Sequence, residues 1–166
     1  FRDFLERYIP AQPGIIETSE AEPVGEHSGL MYYTIGQRQG LGIGGKMEGT
    51  DQPWYVVDKK MSTNTLVVAQ GHQHPRLFYT DCNITDLHWI NQFDMELPYV
   101  CSAKIRYRQQ DEPCRVTVIE NRSAVIKFDR PQRAVTPGQA LVLYRNEVCL
   151  GGGTIETAFN DRMHRE

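Results

Sequence analysis

Arg115-Val116-Thr117-Val118-Ile119, then Glu120-Asn121-Arg122-Ser123, then Ala124-Val125-Ile126-Lys127-Phe128 is the stretch whose reading decides the fold. Two short runs rich in β-branched residues flank a polar turn, which is the pattern of a β-hairpin. Working outward, the pattern recurs on both sides. Trp54-Tyr55-Val56-Val57-Asp58 and Thr65-Leu66-Val67-Val68-Ala69 flank the polar stretch Lys59 to Asn64. Ala140-Leu141-Val142-Leu143-Tyr144 and Val148-Cys149-Leu150 flank Arg145-Asn146-Glu147. Strands at a spacing of about ten residues, joined by hairpin turns, predict a mainly β chain built as an antiparallel barrel or sandwich. Helical periodicity is confined to the start. Phe1, Phe4, Leu5 and Tyr8 recur at helical spacing, so 1–9 read as the end of a short helix that Pro10 and Pro13-Gly14 stop.

The chain has 166 residues, 40% of them apolar and 23% charged, enough to bury the core of one ordinary domain or two small ones. Glycine is dense from Gly25 to Gly49 and nearly absent from 72 to 137. That shift predicts a boundary between Tyr79 and Asn83. We therefore expect a small β-rich module over 1–80, a closed β domain over 81–157 and a polar tail over 158–166. No apolar run approaches the roughly 20 residues of a membrane span, and Phe1-Arg2-Asp3-Phe4-Leu5-Glu6-Arg7 is too charged for a signal peptide. The expectation is a cytoplasmic protein with no membrane partner. An opening Phe1 rather than Met suggests a piece of something longer. Cys82, Cys101, Cys114 and Cys149 form no Cys-x-x-Cys pair, which excludes zinc ribbons and thioredoxin-like motifs and predicts reduced thiols.

Charge is mildly acidic overall, at -3, but unevenly spread. Arg2 and Arg7 stand against six acidic residues in 1–29, whereas 97–146 carry nine Lys/Arg against Asp111, Glu112, Glu120 and Asp129. The second half is the one suited to face a polyanion.

Motifs with catalytic or ligand-binding chemistry are weak. Gly40-Leu41-Gly42-Ile43-Gly44-Gly45 satisfies Gly-x-Gly-x-x-Gly, yet the Lys46 to Pro53 stretch that follows cannot be the helix that fingerprint requires. A tightly bending loop is the better reading. His72, His74, Cys82 and His88 lack a convincing ligand spacing, and no metal site is expected. His27-Ser28 are neighbours that point apart, and no Gly-x-Ser-x-Gly elbow exists. Cys114 and Cys149 read as small core residues at strand positions. No catalytic residue is therefore assigned.

Cys101-Ser102-Ala103-Lys104-Ile105-Arg106-Tyr107-Arg108-Gln109 is the strongest local pattern. On a strand, alternation places Lys104, Arg106 and Arg108 on one face at intervals of about 7 Å, and Ala103, Ile105 and Tyr107 on the other. Such a ladder suits successive phosphates of RNA. A solvated basic face with Tyr107 in the core fits the segment as well.

Several blocks closely resemble the bacterial and organellar tRNA-specific 2-thiouridylases. They are Gly25-Glu26-His27-Ser28-Gly29, Tyr33-Thr34-Ile35-Gly36-Gln37-Arg38-Gln39-Gly40, Pro53-Trp54-Tyr55-Val56-Val57, Lys104 to Gln109, Pro113-Cys114, Ala134-Val135-Thr136-Pro137-Gly138-Gln139 and Cys149 to Ile155. The blocks are collinear over about 1–157. The resemblance implies a central domain followed by a C-terminal antiparallel β-barrel similar to those of translation factors. It implies tRNA as partner, with RNA contacts at Arg106, Tyr107 and Gln139, to which the basic pattern adds Arg108 and Lys104. Members of the family use ATP (with Mg) and a cysteine persulfide to convert the wobble uridine to 2-thiouridine, with sulfur arriving from a sulfur-carrier protein or cysteine desulfurase relay. Their catalytic positions match none of Cys82, Cys101, Cys114 or Cys149, so this chain alone is expected to need no cofactor and to be inactive. Arg106 and Tyr107 can both touch RNA only if the strand ends, bulges or twists nearby, expected around Gln109-Gln110-Asp111. Gln39, where many relatives carry a basic residue, argues against phosphate binding by the Gly-rich loop. The competing reading is a non-catalytic β-barrel adaptor that binds proteins.

Overall fold

A computed structural model describes residues 11–43, 52–91 and 95–160. The helix expected over 1–9, the end of the Gly-rich motif and residues 161–166 of the expected tail lie outside them. The chain divides into two units, Phe1–Leu77 and Phe78–Glu166.

In the first unit, β1 (Gly14–Thr18), β2 (Pro23–His27), β3 (Trp54–Lys60) and β4 (Thr65–Gln70) form one sheet in the order β2-β1-β4-β3. The hairpin read from the sequence is β3–β4, paired from Trp54 opposite Gln70 to Lys60 opposite Thr65. Its turn ends on Asn64 at φ 50°, a left-handed conformation that asparagine tolerates. Strand β4 also pairs in parallel with β1 and is buried from Thr65 to Ala69, as a central strand should be. His27 has a structural place here. Its Nδ1 accepts the Gly29 N–H at 3.0 Å, which leaves Nε2 to donate to the Asn64 carbonyl at 3.0 Å. Gly40 and Gly42 both take positive φ in the loop after a 3-10 turn at Leu30–Tyr32, so the motif does not follow a strand as a pyrophosphate loop would.

The second unit is a closed barrel of β5 (Phe78–Trp89), β6 (Tyr99–Lys104), β7 (Glu112–Glu120), β8 (Ser123–Arg133), β9 (Ala140–Arg145) and β10 (Val148–Phe159). Strand order around it is β10-β5-β8-β7-β6-β9, antiparallel throughout. Of the two architectures the strand spacing allowed, the barrel is the one formed. Period-2 alternation fills its interior: Cys101 and Ala103 on β6, Cys114 and Val116 on β7, Ala124, Ile126 and Phe128 on β8, Leu141 and Leu143 on β9. Each fully buried Leu or Ile contributes about 1.5–3 kcal/mol.

Two boundaries differ from the sequence reading. Strand β5 starts at Phe78, opposite Arg133, three residues before the expected domain start at 81. Ala158 and Phe159, expected in the tail, pair with Cys82 and Asp81, because the first half of β5 needs a partner on its other edge. Asn160 then extends the pairing with its side chain, accepting from Thr80 N–H at 2.9 Å and donating to the Phe78 carbonyl at 3.1 Å.

Gly151-Gly152-Gly153 let β10 pass closely between its neighbours. A Cβ at Gly151 would fall on the His88 carbonyl oxygen, one at Gly152 on that of Leu141, and one at Gly153 on that of Thr85. All four cysteines are reduced thiols; Cys82, Cys101 and Cys114 are buried and Cys149 is half-buried. Burial, reinforced by the Asp81 charge, pushes the Cys82 thiol up to about 12.

Candidate nucleic-acid interface

The barrel has two rims. One gathers the ends of β6 and β8 and the starts of β5, β7 and β9; the sequence-predicted residues Arg106, Tyr107, Arg108 and Gln139 sit there. Strand β6 stops at Lys104 because β7 runs out: it begins at Glu112, opposite Ala103, and the last β9 partner is Val142. The basic ladder is thus not a strand feature. Ile105 still plugs the core, and then Gln109 N–H donates to the Arg106 carbonyl at 3.1 Å and closes a turn. Tyr107, sent inward by strict alternation, stands at the tip of this turn, 96% exposed. Alternation fails here for a plain reason: without a ladder, nothing enforces a pleat.

Arg106 folds back from the turn and donates through Nη2 to the Ala134 carbonyl at 3.0 Å, an oxygen that also accepts the Thr136 hydroxyl at 2.9 Å. This shared acceptor joins the Arg106 loop to the segment that carries Gln139. Burial, and then the like charge of Arg133, lower the Arg106 guanidinium from its ordinary value, though an arginine remains charged at neutral pH.

In the Gln139 segment, Gln139 N–H donates to Thr136 O at 3.2 Å, and Gly138 N–H and Gln139 O bond the two backbone groups of Ile155, both at 2.8 Å. Gly138, at φ 85°, supplies the left-handed residue of this Pro-Gly turn. The turn is therefore rigid. The Gln139 Oε1 is buried and accepts no hydrogen bond, an acceptor left without a donor beside a basic surface.

Beside Arg106 opens a cleft of about 520 Å³. Arg106, Arg108 and Gln109 form one wall, Arg130, Gln132 and Arg133 the other, with Phe78, Pro131 and Glu112 completing it. Gln132 is 5% exposed and ties the walls together: it accepts from Gln109 Nε2 at 2.9 Å and donates to the Arg130 carbonyl at 3.0 Å.

Lys104 is not part of this group. Its ammonium lies 5.2 Å from the centre of the Tyr144 ring, against β9. Arg130, Gln132 and Arg133 were missed by sequence reasoning, which counted the two arginines only as regional charge. The available signal was Asp129-Arg130-Pro131-Gln132-Arg133, where β8's apolar alternation gives way to polar residues around a proline.

The other suspected groups do not assemble. His72 packs edge-on against Tyr55 at 5.9 Å, and His74 accepts the Arg76 N–H at 3.3 Å, both in the turn after β4 and not on a strand. Cys82 points into the barrel core. Among the described residues no group of three or more His, Cys, Asp or Glu is placed to hold a metal ion, and no helix is long and apolar enough to cross a membrane.

Comparison with known proteins finds two domain families in the chain. Residues 2–70 match the tRNA methyl transferase PRC-barrel domain, and residues 79–155 match the aminomethyltransferase beta-barrel domain. Over 159 residues, 96% of its length, the chain is 55% identical to the tRNA-specific 2-thiouridylase MnmA of Yersinia pestis (strain Pestoides F). The same values hold for the protein of that name from Yersinia pseudotuberculosis serotype O:1b (strain IP 31758). The chain spans 43% of the length of these curated relatives.

Proposed function

The chain belongs to the tRNA-specific 2-thiouridylase family, and from that premise we propose that it is the part of such an enzyme that grips the tRNA. In this reading the full-length protein is a tRNA-uridine 2-sulfurtransferase. It spends ATP, with Mg, to activate the wobble uridine and replaces the carbon-two oxygen with persulfide sulfur delivered by a carrier or cysteine desulfurase relay. None of those steps is assigned to residues of this chain. The described part of the Gly-rich loop does not follow a strand, and the only thiol with appreciable exposure, Cys149, lies away from the arginine cleft on the opposite rim's hairpin strand.

One observation carries the proposal: a fully exposed aromatic ring, Tyr107, stands on a turn between two arginines that open onto a cleft. Such a ring adds nothing to the barrel core. Against a nucleotide it offers a stacking plate, while Arg106 and Arg108 offer forked donors to phosphate oxygens. Phosphate contacts set register along the RNA and carry little sequence information, so the choice of the wobble uridine falls to other parts of the enzyme.

The test is fluorescence-anisotropy binding of two substrate tRNAs to the full-length protein over a salt series. Arg106→Ala should weaken both by similar factors and lower the salt sensitivity. Unchanged affinity and slope would overturn the proposal and favour the protein-binding adaptor. The 166-residue chain alone, given ATP and tRNA, should release no pyrophosphate.

A further inference from the structure

We propose that Arg130 and Arg133, on the end of β8, form the second jaw of a phosphate clamp whose first jaw is Arg106 and Arg108, and that the clamp closes on the sugar-phosphate backbone of RNA. The inference rests on the tRNA-binding reading and extends it to residues that neither the family resemblance nor the basic pattern of β6 pointed to.

The cleft's shape and charge argue for it together. Four arginines and one glutamate line it, a formal +3 in a concave space of about 520 Å³. The space is an open cleft between two walls, which an anionic group can enter. Arg133 lies near enough to Arg106 to disfavour the charge on it, so positive charge is concentrated between the walls. Backbone and amide groups tie the walls together. Gln132, buried in the wall, bonds Gln109 of the opposite loop, and Arg106 is fixed to the Ala134 carbonyl just past the end of β8. Arg106 and the two walls are therefore pre-set, which lowers the ordering needed when RNA arrives.

RNA backbone is favoured over an acidic peptide by the neighbouring groups. Forked guanidiniums on two sides suit an anion with several equivalent oxygens, and the exposed Tyr107 ring at the mouth suits a base.

The experiment is tRNA binding by fluorescence anisotropy from ~50 to ~300 mM KCl, with the full-length protein and its Arg130→Gln, Arg133→Gln, Arg106→Ala and Arg122→Gln variants. Arg130 is exposed, so its variant leaves the barrel intact even if Arg133→Gln disturbs it. Each β8 variant should weaken binding roughly three- to tenfold at the lowest salt and reduce the slope of log K against log salt by about 0.7–0.9. Arg122→Gln, on the opposite rim, should do neither. If the β8 variants match the parent while Arg106→Ala binds weakly, the second jaw is refuted and the tRNA-binding reading stands. If Arg106→Ala matches the parent as well, both are refuted. Loss of affinity in Arg122→Gln equal to that of the β8 variants would reduce the clamp to general surface charge and overturn it.

Discussion

The two rims of the barrel are closed by the same six strands and filled by the same alternating core, yet they present different surfaces. The rim at the end of β6 carries Arg106, Arg108, Arg130 and Arg133 around a cleft. The rim at the start of β6 exposes Ile90, Leu97, Val100 and Val148, with Arg145 set over the Tyr99 ring at 6.0 Å. The difference lies in how strands end. At the second rim, β7–β8 and β9–β10 turn tightly through Asn121 and Asn146, both at positive φ. At the basic rim β6 and β8 stop without a tight hairpin, and the residues beyond them fold into walls. The candidate interface lies where regular pairing gives out.

The largest effect should come from breaking what both rims share. Gly152→Val places a side chain on the Leu141 carbonyl and forces β9 and β10 apart, with an expected loss of about 3 kcal/mol or more. Urea unfolding measures it, and tRNA affinity should fall in step with the folded fraction. A fall of less than 1 kcal/mol (on the order of one lost contact) would mean the barrel can open at β10 without penalty.

Tyr107→Ala separates the rims more cleanly. It should cost about 1–3 kcal/mol of tRNA binding with little change in salt slope, and leave unfolding stability within about 0.5 kcal/mol, since the ring touches no core. Val100→Ser, a comparably exposed change on the other rim, should alter neither. Gln139→Ala should weaken binding by about 0.5–1.5 kcal/mol through loss of one side-chain hydrogen bond to RNA.

How far these contrasts were legible in the sequence depends on what each one needs. The three hairpins were, because β-branched runs and polar turns are local signals. The alternating core of β6 to β9 was legible for the same reason. The end of β6 was not. Lys104-Ile105-Arg106-Tyr107-Arg108 keeps a perfect period of two, and Ile105 is buried as that period demands. What ends the strand is the register of β7, whose first residue is Glu112, and that information is tertiary. The β8 arginines were only partly legible for a related reason: the break around Pro131 marks the end of β8's apolar alternation, but their meeting with Arg106 depends on pairing of β8 with β5 and β7.

A smaller effect tests the core that holds the rims apart. The folded-state Cys82 thiol titrates at about 12, above the ~8.5 of an unfolded cysteine. Its contribution is therefore intact below about pH 8.5 and is lost as pH rises toward 12, because the unfolded chain then releases a proton that the folded one retains. Stability should decline by up to about 1.4 kcal/mol per pH unit through this window from that group alone. Comparing urea melts of the parent and Cys82→Ala isolates the term: the variant's decline should be shallower, and parallel declines would place Cys82 in contact with water.

The most direct measurement is ultraviolet crosslinking of a substrate tRNA to the full-length protein, with the linked peptides identified by mass spectrometry. The account predicts crosslinks in 105–111 and 130–139, with Tyr107 foremost, and none in 86–91, 95–100 or 145–150. Crosslinks concentrated on the rim of Ile90, Val100 and Val148 would contradict it, and would assign the arginine cleft to something other than RNA.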